Sequence, residues 1–423
     1  RMSELSFYPK GHMMEKLLDE VEVEWKPLGE LCELVRGSGL PKTDFTEAGV
    51  PAIHYGQIYT YYGLFTHQTK SFVSEETAKR LKKVDCGDVV ITNTSENLED
   101  VGKPVVYLGK EQAVTGGHAT ILKPNYGFLG KYFAYYSQTS SFFKEKRRFA
   151  KGAKVIDVSA KDLSKIEIPI PCPDNPKKSL EIQAEIVRIL DAFTAMTAEL
   201  TAELNLRKKQ YNYYRDQLLS FEEGDVEWKT LGEISLIQRG ASPRPIAKYI
   251  TDDEDGVPWV KIGDTSPGSK YVGQTAQKVT SEGAKKSRIL NIGDFIISNS
   301  MSFGRPYIMG IKGAIHDGWA SISGFNETLS SDYLYHYLSS NTVQNYWAGK
   351  INSGSVSNLN ADIIKTLPVP IPEISKQEEI AAILDKFDVL TNSITEGLPR
   401  EIELRQKHRD LLLSFPGPDT EVA

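Results

Sequence analysis

Glu24-Trp25-Lys26 and Glu227-Trp228-Lys229 each set a carboxylate two residues from an ammonium, matching the last two positions of a metal-dependent nuclease motif. Phosphodiester cleavage by that route needs a further acidic group, suitably spaced upstream, to hold the metal. None is evident, so both tripeptides read as the opening strand or turn of a folded module. The seven histidines show no HxxH or HExxH spacing and offer no metal site. The sequence contains no GxxxxGK[ST] phosphate cradle, no glycine-rich dinucleotide fingerprint and no Asn-Pro-Pro-aromatic run of the kind amino-methyltransferases use. Cys32, Cys86 and Cys172 form no CxxC; so sparse and odd a set suits small buried hydrophobes in a reducing cytosol. The residue types point to recognition and not to catalysis.

The elements that must position such residues are laid out by a repeat. The octapeptide VEWKPLGE (23–30) returns as VEWKTLGE (226–233). Matching continues: LGELCELVRG with LGEISLIQRG, GVPAIHYGQ with GVPWVKIGD, GDVVITN with GDFIISN, VGKP with FGRP and AVTGGHATI with AIHDGWASI. Each copy closes on a Pro-Ile-Pro run, IEIPIP (166–171) and LPVPIP (367–372), followed by IQAEIVRILDAF or KQEEIAAILDKF. Repeated anchors are Gly, Pro and apolar residues, which specify turns and core; the stretches between them diverge. One scaffold carries two different surfaces.

Strand patterns such as VVIT, FIIS, PVVYL and RPYIM alternate with helix patterns at 74–82 and 130–149, giving mixed α and β modules. After each module comes a long amphipathic segment. Apolar residues at Ile182, Ile186, Ile189, Phe193, Met196 and Leu200 are spaced 4-3-4-3-4, a coiled-coil seam. The second copy repeats it from Ile380 and then meets Gly397-Leu398-Pro399, where a kink or restart is expected near Pro399. An α+β chain follows: two pseudo-symmetric α/β modules separated by two long antiparallel coiled-coil helices. The expected boundaries are 14–171 and 226–372 for the modules, 172–225 and 373–415 for the helices, and 416–423 for a tail. Residues 1–13, ending Gly-His-Met, read as an expression remnant.

At 423 residues with 25% charged and 40% hydrophobic composition the chain has room for several ordinary globular domains, and its apolar runs are too short to cross a bilayer. Net charge is −6, yet 22–171 carries +2 and 226–372 carries +1. Neither module is a basic blob, so any DNA affinity comes from placed residues or a partner.

In this order, and written twice, the WK-LGE openings, RKKQYNYYRDQLLSF (207–221) and ILDKF…EGLPREIELRQKHRDLLLSF (383–415) resemble the DNA-specificity subunit of type I restriction–modification systems. The resemblance spans residues 15–415, although Gln406-Lys407-His408-Arg409 lacks the paired tyrosines of the family's C-terminal run. It implies two target-recognition domains, each reading half of a bipartite asymmetric site on double-stranded DNA. It implies helices that set the spacing and bind two modification (methyltransferase) subunits, with restriction (translocase–nuclease) subunits joining through these. The chain itself would be non-catalytic, cytoplasmic and without membrane contact; S-adenosylmethionine, ATP and Mg2+ would serve its partners. The alternative is an interaction scaffold of two modules on a coiled-coil strut.

Under that resemblance the candidate DNA-binding residues sit in the divergent loops. Arg36 and Arg239 precede glycines that lead into polar loops with Lys42 and Arg244; a structural Arg–carboxylate pair is the competing reading. His54, Tyr55 and Gln57, opposite Lys261, suit base edges, though Tyr55 also fits a core strand position. Asn93, Ser95 and Asn97 face Asn299, Ser302 and Arg305. His118 and Trp319 are placed as equivalents, with Trp319 equally suited to the core. The basic run 144–154 contributes Lys151 and Lys154, and its counterpart Lys350. For subunit docking, Arg207, Lys208, Tyr213 and Arg215 mix tyrosine and arginine as interfaces do; Tyr213 lies off the seam.

Overall fold

A computed structural model describes residues 21–222, 224–266, 268–299, 304–352, 358–393 and 396–412, with backbone alone at 352 and 408–412. Expectations for residues 1–13, Ser302 and the tail fall outside these. Two compact units result, one running to Thr197 and including Arg405 onward, the other Ala198–Leu404.

Each unit opens and closes on the same ribbon. Val23–Pro27 pairs antiparallel with Glu167–Pro171, Trp25 opposite Pro169; Glu227–Thr230 pairs with Pro368–Ile371, Trp228 opposite Pro370. The twice-written octapeptide therefore begins a strand that ties the start of each copy to its Pro-Ile-Pro end. Prolines fit because a two-stranded ribbon has only edges. Lys26 lies 3.0 Å from Glu24, and Lys229 3.0 Å from Glu227, ion pairs between alternate residues on one strand face.

Two five-stranded sheets complete the first unit. One runs Cys32–Arg36, Ala119–Pro124, Val89–Thr92, Pro104–Tyr107, Phe65–Thr66; the other runs Phe45–Thr46, Ser71–Val73, Val50–Ile53, Ala113–Thr115, Lys82–Val84. The second unit repeats both orders strand for strand, from Leu236–Arg239 to Tyr271–Val272 and from Ile250–Thr251 to Arg288–Leu290. The central strands Val89–Thr92 and Phe295–Ser298 are wholly buried, which explains the apolar runs Val-Val-Ile and Phe-Ile-Ile that open them. Both follow one turn: Gly87 and Gly293 take φ of 97° and 91°, and the next aspartate accepts from the backbone three residues earlier, Asp85 N to Asp88 at 2.8 Å and Asn291 N to Asp294 at 2.7 Å.

The helix expected over 130–149 is two, Gly130–Tyr136 and Ser140–Phe149, because the Thr139 hydroxyl accepts from Phe142 N and starts a new N-terminus. The first long segment is one continuous helix, Pro176–Leu218, of 43 residues, about 64 Å at ~1.5 Å rise per residue. Its seam does not simply await another helix: Ile182, Ile186, Val187 and Leu190 complete the core of the first unit. The buried Gln183 donates to Gly127 O at 2.8 Å and accepts from Leu129 N at 3.0 Å, while Asp191 accepts from Lys131 and Tyr135, both at 2.6 Å. The second unit rebuilds this joint with Gln377 on Thr328 O (3.0 Å) and Ser330 N (2.8 Å), and with Asp385 receiving Lys270 (2.5 Å) and His336 (2.8 Å).

The second long segment breaks where the restart near Pro399 is expected. It is Ile374–Asn392 and Leu398–Leu412, with Pro399 in the first turn of the latter. Gly397 folds back on the end of the former, where a Cβ would stand 2.3 Å from Val389 O. Within the second unit Tyr211 and Tyr214 stack on Phe387 at 6.2 and 5.7 Å, and within the first Arg405 Nη1 lies 3.6 Å from Met196 Sδ.

Candidate nucleic-acid interface

In the first unit five separate segments converge on one exposed face. His118 stands at the head of strand Ala119–Pro124 with φ 64°, exposed. Its Nδ1 is 3.1 Å from Thr94 Oγ1 and its ring 5.1 Å from that of Tyr55. Tyr55 in turn lies 4.5 Å from the ring of His54. His54 is buried and caps helix Tyr55–Thr60, its Nδ1 accepting from Gly56 N at 3.2 Å. Burial, then the positive charge of Lys42 and the neighbouring His118, lower the His54 pKa, which keeps the ring neutral and able to accept.

Strand Thr94–Ser95 pairs with Ile156–Asp157 and so brings the 151–155 loop alongside. Gly152, at φ 107°, allows that loop to close, since a Cβ would stand 2.0 Å from Val155 O. Lys151 is anchored at 2.9 Å to Asp162, which also receives Lys165 at 3.0 Å and Ser159 at 2.9 Å. These bonds hold the Asp162 carboxyl far below the usual carboxylate range. Lys154 is exposed at the loop tip, as are Lys144 and Arg147 on the preceding helix, whereas Lys146 of the same basic run is buried.

Other expected readers of this unit serve the scaffold. Asn93 is buried, donating to Val158 O at 2.8 Å and accepting from Thr120 at 2.9 Å, so burial and these bonds hold its amide inside the module and away from a base. Ser95 is buried too, accepting from Asn97 N at 3.5 Å. Asn97 is exposed but closes a turn with Asp100 at 2.8 and 3.0 Å. Gln57 donates to Ser71 at 2.6 Å from a half-buried position. Arg36 and Lys42 are exposed. Packing requires the glycine after each arginine: a Cβ at Gly37 would stand 1.9 Å from Gly116 O, and one at Gly240 2.1 Å from His316 O.

The matching face of the second unit is built differently. Arg239 Nε donates to the backbone oxygen of Asp317 at 3.2 Å. Around the Asp317 carboxylate stand Ser242 Oγ at 2.9 Å, His316 Nε2 at 3.0 Å and Arg244 at 3.6 Å. Partial burial pushes that carboxyl up, but the Ser242 hydroxyl, His316 and the two guanidinium groups outweigh it and hold it below its ordinary value. Lys261 is engaged with Gln277 at 2.9 Å. Arg305 lies 5.5 Å over the Tyr307 ring, and Lys350 5.4 Å over that of Tyr346. Asn299 is half-buried, its backbone bonded to Gly318 O at 3.2 Å.

Trp319 is a core residue, edge-on to Tyr307 at 6.0 Å and fully enclosed. Sheet register also corrects its pairing with His118. Arg36 lies opposite Thr120 and Arg239 opposite Ala320, and Asn93 N reaches His118 O where Asn299 N reaches Gly318 O. His118 thus matches Gly318, and Trp319 matches the buried Ala119. The one-residue slip hid Asp317, His316 and Ser242 from sequence reasoning, because the aligned strings offered only His against Trp.

On the long helix Tyr213 is 58% exposed and Lys208 exposed, while Arg207 is held by Glu203 at 2.7 Å and Gln210 at 2.8 Å. Arg215 is not available to a partner as expected: it is buried, its guanidinium 5.2 Å from the Tyr211 ring. Among the described residues no three or more His, Cys, Asp or Glu side chains gather to hold a metal, and no helix is long and apolar enough to cross a membrane.

Two like-folded α/β modules, each followed by a helical segment and each carrying its own polar loop face, define a duplicated recognition protein. The type I restriction modification DNA specificity domain matches residues 20–207 and 223–404, and the chain belongs to that family, with two target-recognition domains. It is similar to the EcoR124I/EcoR124II specificity subunit of Escherichia coli, 38% identical over 99% of both chains. A putative type I restriction enzyme specificity subunit of Haemophilus influenzae is 32% identical over 95% of this chain and 98% of its own. In fold it resembles the crystal structure of a type I restriction-modification S subunit from M. genitalium, with TM-score 0.55 at 16% identity over 94% and 97% of the two chains.

Proposed function

We propose that each unit reads one half of a bipartite site on double-stranded DNA, as a specificity subunit of a type I restriction–modification complex. The observation that carries this reading is the pair of loop faces. At the same strand ends of one repeated scaffold, Tyr55, Thr94 and His118 meet in the first unit, with Lys42 near His54 and the loop bearing exposed Lys154 leading into the strand paired with Thr94–Ser95, and Arg239, Ser242, Arg244 and His316 gather about Asp317 in the second. Equal backbones presenting unequal donors and acceptors are what two different half-sites require.

On this reading the segments 172–225 and 373–415 set the gap and dock two modification subunits, with exposed Tyr213 and Lys208 part of that surface. Restriction subunits join through these partners. S-adenosylmethionine, ATP and Mg2+ act in the partners, and this chain performs no chemistry of its own. The test is reconstitution with the cognate modification subunits, followed by mapping of methylated positions across random-sequence DNA. A two-part consensus is expected, and exchanging residues 226–372 with those of a relative should change one part alone. A consensus without a gap, or one indifferent to the exchange, overturns the proposal; salt-insensitive binding of a non-DNA ligand would favour a scaffold instead.

A further inference from the structure

We infer that Asp317 is a positioning residue that aligns Arg239 and Arg244 as a guanine-reading pair, so that the half-site of the second unit contains a G·C base pair read by this arginine device. The inference rests on the DNA-reading role proposed above and adds the base class and the residue that sets it.

Arginine carries five donors in a rigid fork, and two of them match guanine O6 and N7 when the guanidinium plane is held at the right angle. A long side chain in solvent holds no such angle. Arg239 does, because its Nε is committed to the Asp317 backbone oxygen at 3.2 Å, which leaves the terminal nitrogens for the ligand. Arg244, 84% exposed, is drawn to the same residue through the carboxylate at 3.6 Å. That carboxylate is itself fixed by the Ser242 hydroxyl at 2.9 Å and by His316 at 3.0 Å, and Asp317 N lies 3.3 Å from Ser242 Oγ. Asp317 thus organises two cations through both its main chain and its side chain.

An acidic group on a DNA-facing surface repels phosphate, so its presence between two arginines calls for a reason. Alignment of the fork is one that tolerates the repulsion, because guanine presents acceptors and no charge at the groove edge. The first unit supplies an internal contrast. Sheet register places Gly117, which has no side chain, where the second unit has Asp317. The backbone position is shared; the carboxylate is present in the second unit alone of the two equivalent positions.

The experiment is mapping of the methylation consensus for the reconstituted complex carrying Arg239→Lys, Asp317→Asn or Asp317→Glu. Arg239→Lys keeps the charge and removes the fork, so preference for guanine at one position of the second half-site should fall by about tenfold to a hundredfold. Asp317→Asn should relax the same position while affinity for non-specific DNA holds or rises, since a negative charge is lost. Asp317→Glu should retain the preference. A second half-site without a G·C pair, or one unchanged by both Arg239→Lys and Asp317→Asn, overturns the inference. Equal loss at every position with a lowered melting temperature marks Asp317 as merely structural and overturns it too. The first half-site is the internal reference: a wild-type complex with no two-part consensus defeats the DNA-reading role itself, a result distinct from failure at the second half-site alone.

Discussion

Lys146 in the first unit and Trp347 in the second occupy the same place beneath the same glycine. A Cβ at Gly102 would stand 2.7 Å from Lys146 Cδ, and a Cβ at Gly304 3.0 Å from Trp347 Cε3. Both side chains are buried. One copy of the scaffold fills this site with an indole, the other with an aliphatic stem whose ammonium reaches Glu99 O at 3.3 Å. Burial lowers the Lys146 pKa to about 8, against the partly offsetting charges of Glu99 and Asp100.

Lys146→Met is therefore expected to stabilise the first unit at neutral pH by about 1–2 kcal/mol, since it removes a buried charge and keeps the stem. The sign with pH is fixed by linkage. Between pH 8 and the ordinary lysine value the unfolded chain binds a proton that the folded chain does not, so wild-type stability rises across that window. The advantage of the methionine variant should shrink over the same range, as read from denaturant unfolding at pH 7, 9 and 10.

Gln183 and Gln377 each satisfy two buried backbone groups at the joint between module and helix. Replacing either by Leu leaves an N–H and a carbonyl without their partner, and a loss of about 2–4 kcal/mol is expected. Because the joints lie in different units, each variant should lower protection from hydrogen exchange chiefly in its own unit. Equal loss in both would contradict the division into two compact units.

Asp162 gathers Lys151, Lys165 and Ser159 beneath the 151–155 loop. Asp162→Asn should cost about 1–2 kcal/mol at pH 7, kept small because solvent screens the exposed lysines. Its folded pKa is depressed, so the wild-type advantage is present above the ordinary carboxylate range and fades as pH falls through the folded value. Thermal melts at pH 7 and pH 3 should show the gap closing at the acid end.

His118 and Trp319 should part company under alanine. Trp319→Ala empties a core site and should cost about 3–5 kcal/mol. His118→Ala touches an exposed ring and should leave stability within about 0.5 kcal/mol, while altering the consensus of the first half-site alone. Calorimetry and methylation mapping separate the two outcomes.

Insertion of four residues after Leu200 adds about 6 Å of helix at ~1.5 Å per residue. The proposed gap between half-sites should lengthen by about one or two base pairs at ~3.4 Å each, with both half-site sequences unchanged. Methylation mapping reads both quantities at once.

Much of this molecule was legible before any coordinates. The Gly-Asp turns at 87–88 and 293–294, the Pro-Ile-Pro closures and the heptad spacing from Ile182 each name a local geometry that the residue types demand. Less legible were positions decided by packing. Asn93 carries the chemistry of a base reader, yet it is buried and turned to Val158 and Thr120 inside the module. Arg215 resembles an interface arginine and lies buried against Tyr211.

Sequence alone determined the duplication, the α/β modules and the helical segments, because turn chemistry and apolar period act over a few residues and are written where they act. Tertiary structure decided which loops share a face. Thr94 meets Asp157 through strand pairing and His118 across its hydroxyl, and Asp317 meets Arg239 through a register one residue away from the apparent alignment. Side-chain period in a strand is two, so a slip of one exchanges inside for outside, and hydrogen bonds between distant strands fix that choice.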